Sequence, residues 1–182
     1  RAALAGGTVC RRSSDFNVGE RGTLNFWVRM HDTSRRNQFF EGPDNAGMEF
    51  QFRNNSSGQL YGRTTTAGGD FVIRSGPDGA TLLNTWRNIQ YTWDFNATNA
   101  VGKMRIYVDG VESGYLAGST PNDLTWTAIT DTVNGLMNVG RDPGDLTRSF
   151  DGLMDDIAWY DQVLTAGDRD SIRTSGVTAH ND

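Results

Sequence analysis

Two alternating runs of apolar and polar residues meet at one tight turn, and this feature constrains the fold of the chain more than any other. Residues 103–108 alternate into Asp109-Gly110, and residues 111–115 leave it as the return strand. Asp-Gly between such flanks is typical of a two-residue β-hairpin turn, because glycine accepts the positive φ that the turn requires. The sequence therefore predicts an antiparallel hairpin, in which Asp109 and Gly110 serve the turn and not a functional site.

The same kind of strand recurs along the chain. Short runs rich in β-branched and aromatic residues are separated by clusters of Gly, Asn, Asp and Pro. The predicted strands lie at 23–30, 37–41, 48–53, 59–63, 70–74, 86–94, 103–108, 111–115, 135–140 and 150–160. Only residues 165–175 predict a short helix, with Thr165 as its N-cap. The pattern predicts an all-β fold, a two-sheet antiparallel jelly-roll sandwich with one short C-terminal helix.

Length and charge limit the domain organisation and the partners. A chain of 182 residues is long enough for one all-β domain, and we expect a single domain over residues 1–182 with its core at about 8–176. The formal net charge of −5 repels a phosphate backbone, so no nucleic-acid partner is expected. No apolar run approaches the roughly 18 residues of a membrane helix, so no membrane insertion is expected. We expect no signal peptide within the chain, and its single cysteine, Cys10, excludes an intramolecular disulfide.

Three segments, in their order and spacing, resemble the laminin G-like/concanavalin A-like lectin-glucanase superfamily. They are a first core strand at 22–29, a central pair at 86–94 and 104–110, and a closing motif at 150–165 that reads FDGLMDDIAWYDQVLT. The resemblance covers roughly residues 16–175 and implies a laminin G-like jelly roll. It does not name a function, because this fold carries lectins, glycosidases, lyases, adhesion modules and viral surface proteins.

Catalytic carboxylates are the first groups to consider on such a fold. A glycosidase needs two carboxylates about 5–9 Å apart across the bound sugar, and the related glucanases carry an E-x-D-x-x-E strand that this sequence lacks. Glu49 has no second acid two positions along its strand, and Asp155 and Asp156 are neighbours that point to opposite faces of a strand. The lyases of this fold use a His, Tyr and Arg set, whereas His31 and His180 lie in a loop and in the tail. We therefore expect no enzyme; a glycosidase or polysaccharide lyase is the less favoured alternative.

Asp155 has two interpretations that stay open. Many members of the family carry a Ca²⁺, and the resemblance implies that Asp155 and the N-terminal loop near Asp15 hold it. Carboxylate and carbonyl oxygens suit Ca²⁺. The alternative is a buried carboxylate that accepts backbone N–H bonds across the sandwich, since a carboxylate in a core must be satisfied. A second acidic loop, with Asp142 and Asp145, is predicted to be a solvated turn.

Aromatic rings and the polar groups beside them are the candidate ligand-binding residues. An exposed Trp or Tyr face stacks on the apolar side of a pyranose. Four tryptophans fall in strand patterns, which predicts core packing: Trp27, Trp86, Trp93 and Trp159. Trp126 follows a long polar loop and is the best single candidate for a ligand platform, although core packing is the competing interpretation. Tyr61, Arg63 and Tyr115 are expected to reach a sheet face or rim.

Together these features predict a non-catalytic recognition module that binds a glycan or a protein at a cell or particle surface. Ca²⁺ in a structural role is the one cofactor considered. The alternative is a structural or adhesive subunit of a larger assembly, such as a virion decoration, tail or appendage, with copies of itself or other subunits as partners. Both hypotheses place the chain outside the cell, on a cell surface or on a virion surface.

Overall fold

The computed structural model describes residues 16–17, 21–42, 49–54, 58–66, 69–74, 82–94, 104–114, 134–135, 137–142 and 145–175. The strands are β1 Phe16–Asn17, β2 Arg21–Met30, β3 Asn37–Glu41, β4 Glu49–Asn54, β5 Leu60–Thr66, β6 Gly69–Arg74, β7 Arg87–Asp94, β8 Met104–Val108, β9 Val111–Glu112, β10 Asn134–Gly135, β11 Asn138–Val139 and β12 Gly152–Tyr160. A 3-10 turn spans Leu146–Arg148, and the C-terminal helix α1 spans Ala166–Ser175. No helix in these ranges is both long and apolar enough to cross a bilayer.

The strands form two five-stranded antiparallel sheets. The first sheet has the order β11-β3-β4-β5-β6, and the second sheet has the order β12-β2-β7-β8-β9. A separate pair joins β1 to β10. In the second sheet the late strand β12 lies beside the early strand β2, so the chain returns to its beginning. This arrangement confirms the predicted two-sheet antiparallel sandwich with a short C-terminal helix.

Side chains from both sheets form one core. The Phe26 ring on β2 lies 5.4 Å from that of Phe39 and 5.0 Å from that of Phe40, both on β3. The Tyr91 hydroxyl of the second sheet donates to the Tyr61 carbonyl of the first, at 3.4 Å. Other buried members of the core include Leu24, Val28, Met30, Ile89, Trp93, Ile106, Phe150 and Met154. The apolar core positions alternate along β2 and β7, as the sequence predicts, and the residues between them are largely buried as well.

The four tryptophans predicted for the core do not all lie there. Trp93 is fully buried, and Trp159 packs against the core with its ring centroid 4.9 Å from that of Trp93. Trp27 and Trp86 are half-buried and lie outside the core cluster, so the prediction is wrong for these two. Trp27 points outward because both of its neighbours on β2 point into the core.

The Asp109-Gly110 hairpin has the predicted geometry and also anchors a neighbouring strand. The backbone φ is 51° at Asp109 and 84° at Gly110, and a type I′ turn requires positive values at both positions. The Asp109 carboxylate accepts hydrogen bonds from Arg87 Nη1 at 2.6 Å and from the Asn88 N–H at 3.0 Å. Asp109 therefore ties the turn after β8 to the start of β7, which makes it a residue of the fold, as predicted.

Helix α1 begins with a capping box. The Thr165 hydroxyl accepts from the Asp168 N–H at 3.2 Å and donates to the Asp168 carboxylate at 2.6 Å, and the Thr165 N–H donates to the same carboxylate at 3.3 Å. These bonds satisfy donors that a helix N-terminus otherwise leaves free, and they confirm Thr165 as the N-cap. The helix lies on the outer face of the second sheet, where Ile172 is fully buried.

Candidate functional site

A row of polar residues crosses the first sheet on the face that points away from the core. Phe40 lies in the core, so the next residue of β3, Glu41, lies on the opposite face together with its partner on β11, Asn138. Glu41 and Arg63 of β5 both pair with Gln51 of β4. The register therefore runs the row from β11 through β3 and β4 to β5.

A β-bulge in β3 places Gln38 on this face, where Tyr61 of β5 also lies by alternation with Arg63. The pairing shifts between Gln38 and Phe40, so Phe39 and Phe40 both enter the core. Gln38 and Tyr61 both pair with Arg53, which lies two residues along β4 from the partner of Glu41. They therefore share the outer face. We name this set the polar strip: Gln38, Glu41, Tyr61, Arg63 and Asn138.

The polar strip is largely buried although it faces away from the core. The exposed fraction is 0 % for Gln38, 6 % for Glu41 and 7 % for both Tyr61 and Asn138. Gln38 Nε2 donates to the Phe40 carbonyl at 2.9 Å, whereas Gln38 Oε1 is buried without a hydrogen-bond partner among the described residues. Buried amide oxygens are nearly always hydrogen-bonded. Gln38 Oε1 is therefore a buried acceptor whose donor is not among the described residues.

An ion cluster of Asp142, Arg36 and Arg148 lies at one end of the polar strip. Asp142, which follows β11, is 4 % exposed. Its carboxylate lies 3.0 Å from Arg148 Nη1 and 3.9 Å from Arg36 Nη2, and it accepts from the Asp145 N–H at 3.1 Å. The prediction of a solvated turn is therefore wrong for Asp142. Two arginines from separate loops converge on this carboxylate, and the charge pattern of the sequence does not reveal such long-range pairing.

Hydroxyl and backbone donors lower the pKa of two rim carboxyls. Thr147 donates to the Asp145 carboxylate from its hydroxyl at 2.6 Å and from its N–H at 3.0 Å. Ser34 makes the same two bonds to Asp32, at 2.7 and 2.8 Å. These bonds, with smaller contributions from nearby arginines, hold the pKa of both carboxyls below the ordinary value of 3.8.

These bonds predict a small loss of stability in acid. A carboxyl with a lowered folded-state pKa stabilises the fold above about pH 3.8, and this contribution is lost as the pH falls through the folded-state pKa. We expect the Tm of Asp145→Asn, and of Thr147→Val, to fall less steeply between pH 4 and 2 than that of the unaltered chain. Both carboxyls are exposed, so the difference is small. Identical slopes in thermal melts of the three proteins would contradict this account.

Two buried asparagines hold the rim loop 31–36 in place. Asn37 Nδ2 donates to the Asp32 carbonyl at 2.8 Å and to the Arg35 carbonyl at 3.2 Å, and Asn37 Oδ1 accepts from the Asp151 N–H at 3.1 Å. Asn54 Nδ2 also donates to the Arg35 carbonyl, at 3.1 Å. Neither asparagine is exposed. The loop is thus fixed to the segment before β12 and presents Arg36 to the ion cluster.

A family model described as the concanavalin A-like lectin/glucanases superfamily matches residues 5–168 of the chain. The chain belongs to this superfamily. The match confirms the family that the three sequence segments resemble. No curated protein sequence matches the chain.

Solved structures with the same fold have little sequence in common with this superfamily domain. The heptameric SAP-like pentraxin from Limulus polyphemus aligns with a TM-score of 0.60 at 12 % identity, over 94 % of this chain and 78 % of that chain. Domains LG4-5 of the mouse laminin alpha1 chain align with a TM-score of 0.62 at 13 % identity, over 85 % of this chain and 39 % of that chain. The Ruminococcus gnavus IT-sialidase CBM40 aligns with a TM-score of 0.57 at 12 % identity, over 92 % of this chain and 100 % of that chain. These similarities show the fold alone.

Asp155 of the superfamily domain lies in a β-bulge of β12. The pairing with β2 shifts between Asp155 and Ala158, and φ is 48° at Asp156. Asp155 Oδ1 accepts from the Asp156 N–H at 3.1 Å, a bond to the adjacent residue and not across the sandwich. The described ranges bring no three His, Cys, Asp or Glu side chains together as a metal site, and Ca²⁺ takes six to eight oxygen ligands. The other predicted ligand, Asp15, lies outside the described residues, so a calcium site stays a prediction.

The predicted ligand-binding residues fall into two groups. The structure brings Tyr61 and Arg63 together on the polar strip of the superfamily domain, although the burial of Tyr61 leaves little of its ring for stacking. Trp126 and Tyr115 lie outside the described residues. The sequence did not single out Gln38, because the bulge that places it on the outer face interrupts the alternation of β3.

Proposed function

We propose that this superfamily domain is a non-catalytic recognition module that binds a glycan through the polar strip, at a cell or particle surface. The observation that carries the proposal is the buried Gln38 Oε1, which has no hydrogen-bond partner among the described residues. Because Gln38 is 0 % exposed, a ligand reaches this oxygen only when the residues around it move. Gln38 lies on a rigid strand, in a set that also offers an amide and a guanidinium. Sugar hydroxyls both donate and accept hydrogen bonds, and fixed polar groups of this kind recognise them.

Two solved structures with this fold carry glycan ligands. One is the Ruminococcus gnavus IT-sialidase CBM40 bound to alpha2,3 sialyllactose, and the other is domain 4 of AbnA, an extracellular arabinanase from Geobacillus stearothermophilus, in complex with arabinotriose. Both are only 13 % identical to this chain. They support the class of ligand and not its identity, because one fold carries many sites.

Replacement of Gln38 tests the proposal. Gln38→Met keeps the length of the side chain and removes its amide, so we expect glycan affinity to fall about 10-fold, as the loss of one hydrogen bond predicts. The glycan is first identified on an array of neutral and acidic glycans, and its Kd is then measured by calorimetry. Glu112→Gln, on an exposed strand of the other sheet, is the matched control and should bind as the unaltered chain does. Binding to no glycan, or equal Kd values for Gln38→Met and the control, would contradict the proposal.

The glycosidase alternative is tested with the same glycan. The direct register partners of Glu41 are Asn138 and Gln51, so its row offers amides and not a second acid, which supports a role in binding. Because of these amide partners, we expect no new reducing ends after prolonged incubation, although Glu49 lies two residues from Gln51 on β4. Hydrolysis that disappears in Glu41→Gln would overturn the non-catalytic assignment.

The molar mass of the purified domain in solution distinguishes the alternative of an assembly subunit from glycan recognition. The heptameric pentraxin shows that a domain of this fold can form an oligomer. Light scattering of the purified domain, with calcium and with chelator, measures its mass. A monomer that binds glycan equally under both conditions supports recognition without calcium. A closed oligomer that binds no glycan favours the assembly role.

A further inference from the structure

The segment 161–175 lies across the outer face of the second sheet, on the side of the sandwich opposite the polar strip. We name this segment the cover. The Thr23 hydroxyl of β2 donates to the Gln162 carbonyl at 2.9 Å and accepts from the Leu164 N–H at 3.0 Å. Gln90 Nε2 of β7 donates to the Arg169 carbonyl at 3.0 Å. The central outer-face residues of these strands are at most 2 % exposed: Thr23, Asn25, Asn88, Gln90 and Thr92. Trp27 beside them is half-buried.

The contact between the cover and the sheet is mainly polar. Within the cover only Leu164 and Ile172 are buried, whereas the opposite face of the same sheet belongs to the core of the sandwich. Arg169 stacks its guanidinium 4.0 Å from the centroid of the Tyr107 ring. Apolar burial is the main stabilising term of a packed interface, so the cover is held more weakly than the two sheets hold each other.

Three buried polar atoms, two on the outer face of the second sheet and one in the cover, have no hydrogen-bond partner among the described residues. They are Asn88 Oδ1, Gln90 Oε1 and Arg169 Nε, all of them buried. A buried polar atom without a partner destabilises the state that buries it, and it recovers its hydrogen bonds when water reaches it. The closed state therefore contains three groups that favour opening.

Opening breaks few of the remaining hydrogen bonds. Asn88 Nδ2 and Gln90 Nε2 both donate to Asn25 Oδ1, at 2.9 and 3.0 Å, within the sheet. The cover has its own internal bonds, which include the capping box and the bond from Arg169 Nη1 to the Leu164 carbonyl at 2.7 Å. The sheet therefore keeps its structure when the two separate, whereas the ten-residue helix loses the packing that stabilises it and its amides become open to exchange.

We propose that the cover opens as a unit while the sandwich stays folded, and that opening exposes the amide cluster Asn25, Asn88 and Gln90 on the second sheet. This opening of the cover does not involve the polar strip, which lies on the other sheet. Sub-global opening of this kind occurs where a segment has few buried apolar contacts. The exposed cluster presents amide oxygens and N–H groups on rigid strands, which is a polar surface that the closed domain withholds from solvent.

Hydrogen exchange of the unaltered chain at several urea concentrations tests the proposal. We expect peptides from 166–175 to exchange faster than those from 87–94, with a smaller dependence on urea, because opening exposes less surface than global unfolding. Amides of the two regions that exchange at one rate and with one urea dependence would show that only global unfolding releases the cover. That result would overturn the proposal.

Two core variants sharpen the test. Ile172→Ala removes the fully buried anchor of the cover, and we expect about 30-fold faster exchange in 166–175. Amides of 87–94 that exchange by global unfolding should accelerate by a similar factor, because global unfolding also releases the cover. Ile89→Val, in the core of the sandwich, separates the two events, because it should accelerate exchange in 87–94 and leave 166–175 unchanged. Equal acceleration of both regions by Ile89→Val would contradict a separate opening. If Ile172→Ala does not fold, Ile89→Val and the urea series on the unaltered chain decide.

Discussion

Gly152→Ala should lower the free energy of unfolding by about 4 kcal/mol, the sum of backbone strain and overpacking. A Cβ at this position would lie 2.3 Å from the Arg29 carbonyl oxygen and 3.0 Å from Met30 Cα. Both are backbone atoms of β2, so they cannot yield without disturbing the pairing of β12 with β2. The Phe150 ring would lie 2.7 Å away, and φ at Gly152 is 158°, which a side chain rarely tolerates. One methyl group therefore strains both the backbone and the core.

A second glycine provides the matched control. Gly114 is exposed, and a Cβ there would meet no heavy atom within 4 Å. Gly114→Ala should change the free energy of unfolding by no more than about 0.5 kcal/mol. Urea denaturation followed by tryptophan fluorescence measures both variants. Equal midpoints for the two would show that close packing at Gly152 does not limit stability.

The strands were predictable because alternation and turn chemistry are local properties. Residues 37–41 were predicted as the strand that the structure shows, and the turn at Asp109 needed only the conformational freedom of Gly110. The sandwich follows, since strands with one apolar face must bury it against another sheet. Trp27 shows the limit of this reasoning, because an aromatic residue in a strand can occupy either face. The apolar neighbours of Trp27 on β2 determine which face its ring occupies.

The candidate site was less predictable because its residues meet through register. Tyr61 and Arg63 were named from the sequence, yet nothing local indicated that they share a face with Glu41 and Gln38. That face is set by the pairing of β3, β4 and β5 and by one bulge. The burial of Asp142 likewise depends on Arg36, which lies more than a hundred positions earlier in the sequence. Such contacts are fixed by the whole fold and not by neighbouring residues.

Asn37→Ala should destabilise the domain by about 3 kcal/mol and should also weaken glycan binding. The side chain is fully buried and links the rim loop 31–36 to the backbone before β12. Its removal leaves the Asp151 N–H without its acceptor and the Asp32 carbonyl without its donor, and each such loss costs about 1–3 kcal/mol. The loop also carries Arg36, so its release should loosen the ion cluster at the end of the polar strip.

One further variant separates the loss of stability from the loss of binding. Ile106→Ala removes a fully buried side chain from the second sheet, and it should cost a similar 2–5 kcal/mol. Because Ile106 does not touch the rim, the folded fraction of that variant should keep the Kd of the unaltered chain, whereas Asn37→Ala should bind about 10-fold more weakly, in proportion to one lost hydrogen bond. Equal Kd values for these two variants, measured by calorimetry where both are folded, would show that the rim loop stabilises the domain without positioning groups for a ligand.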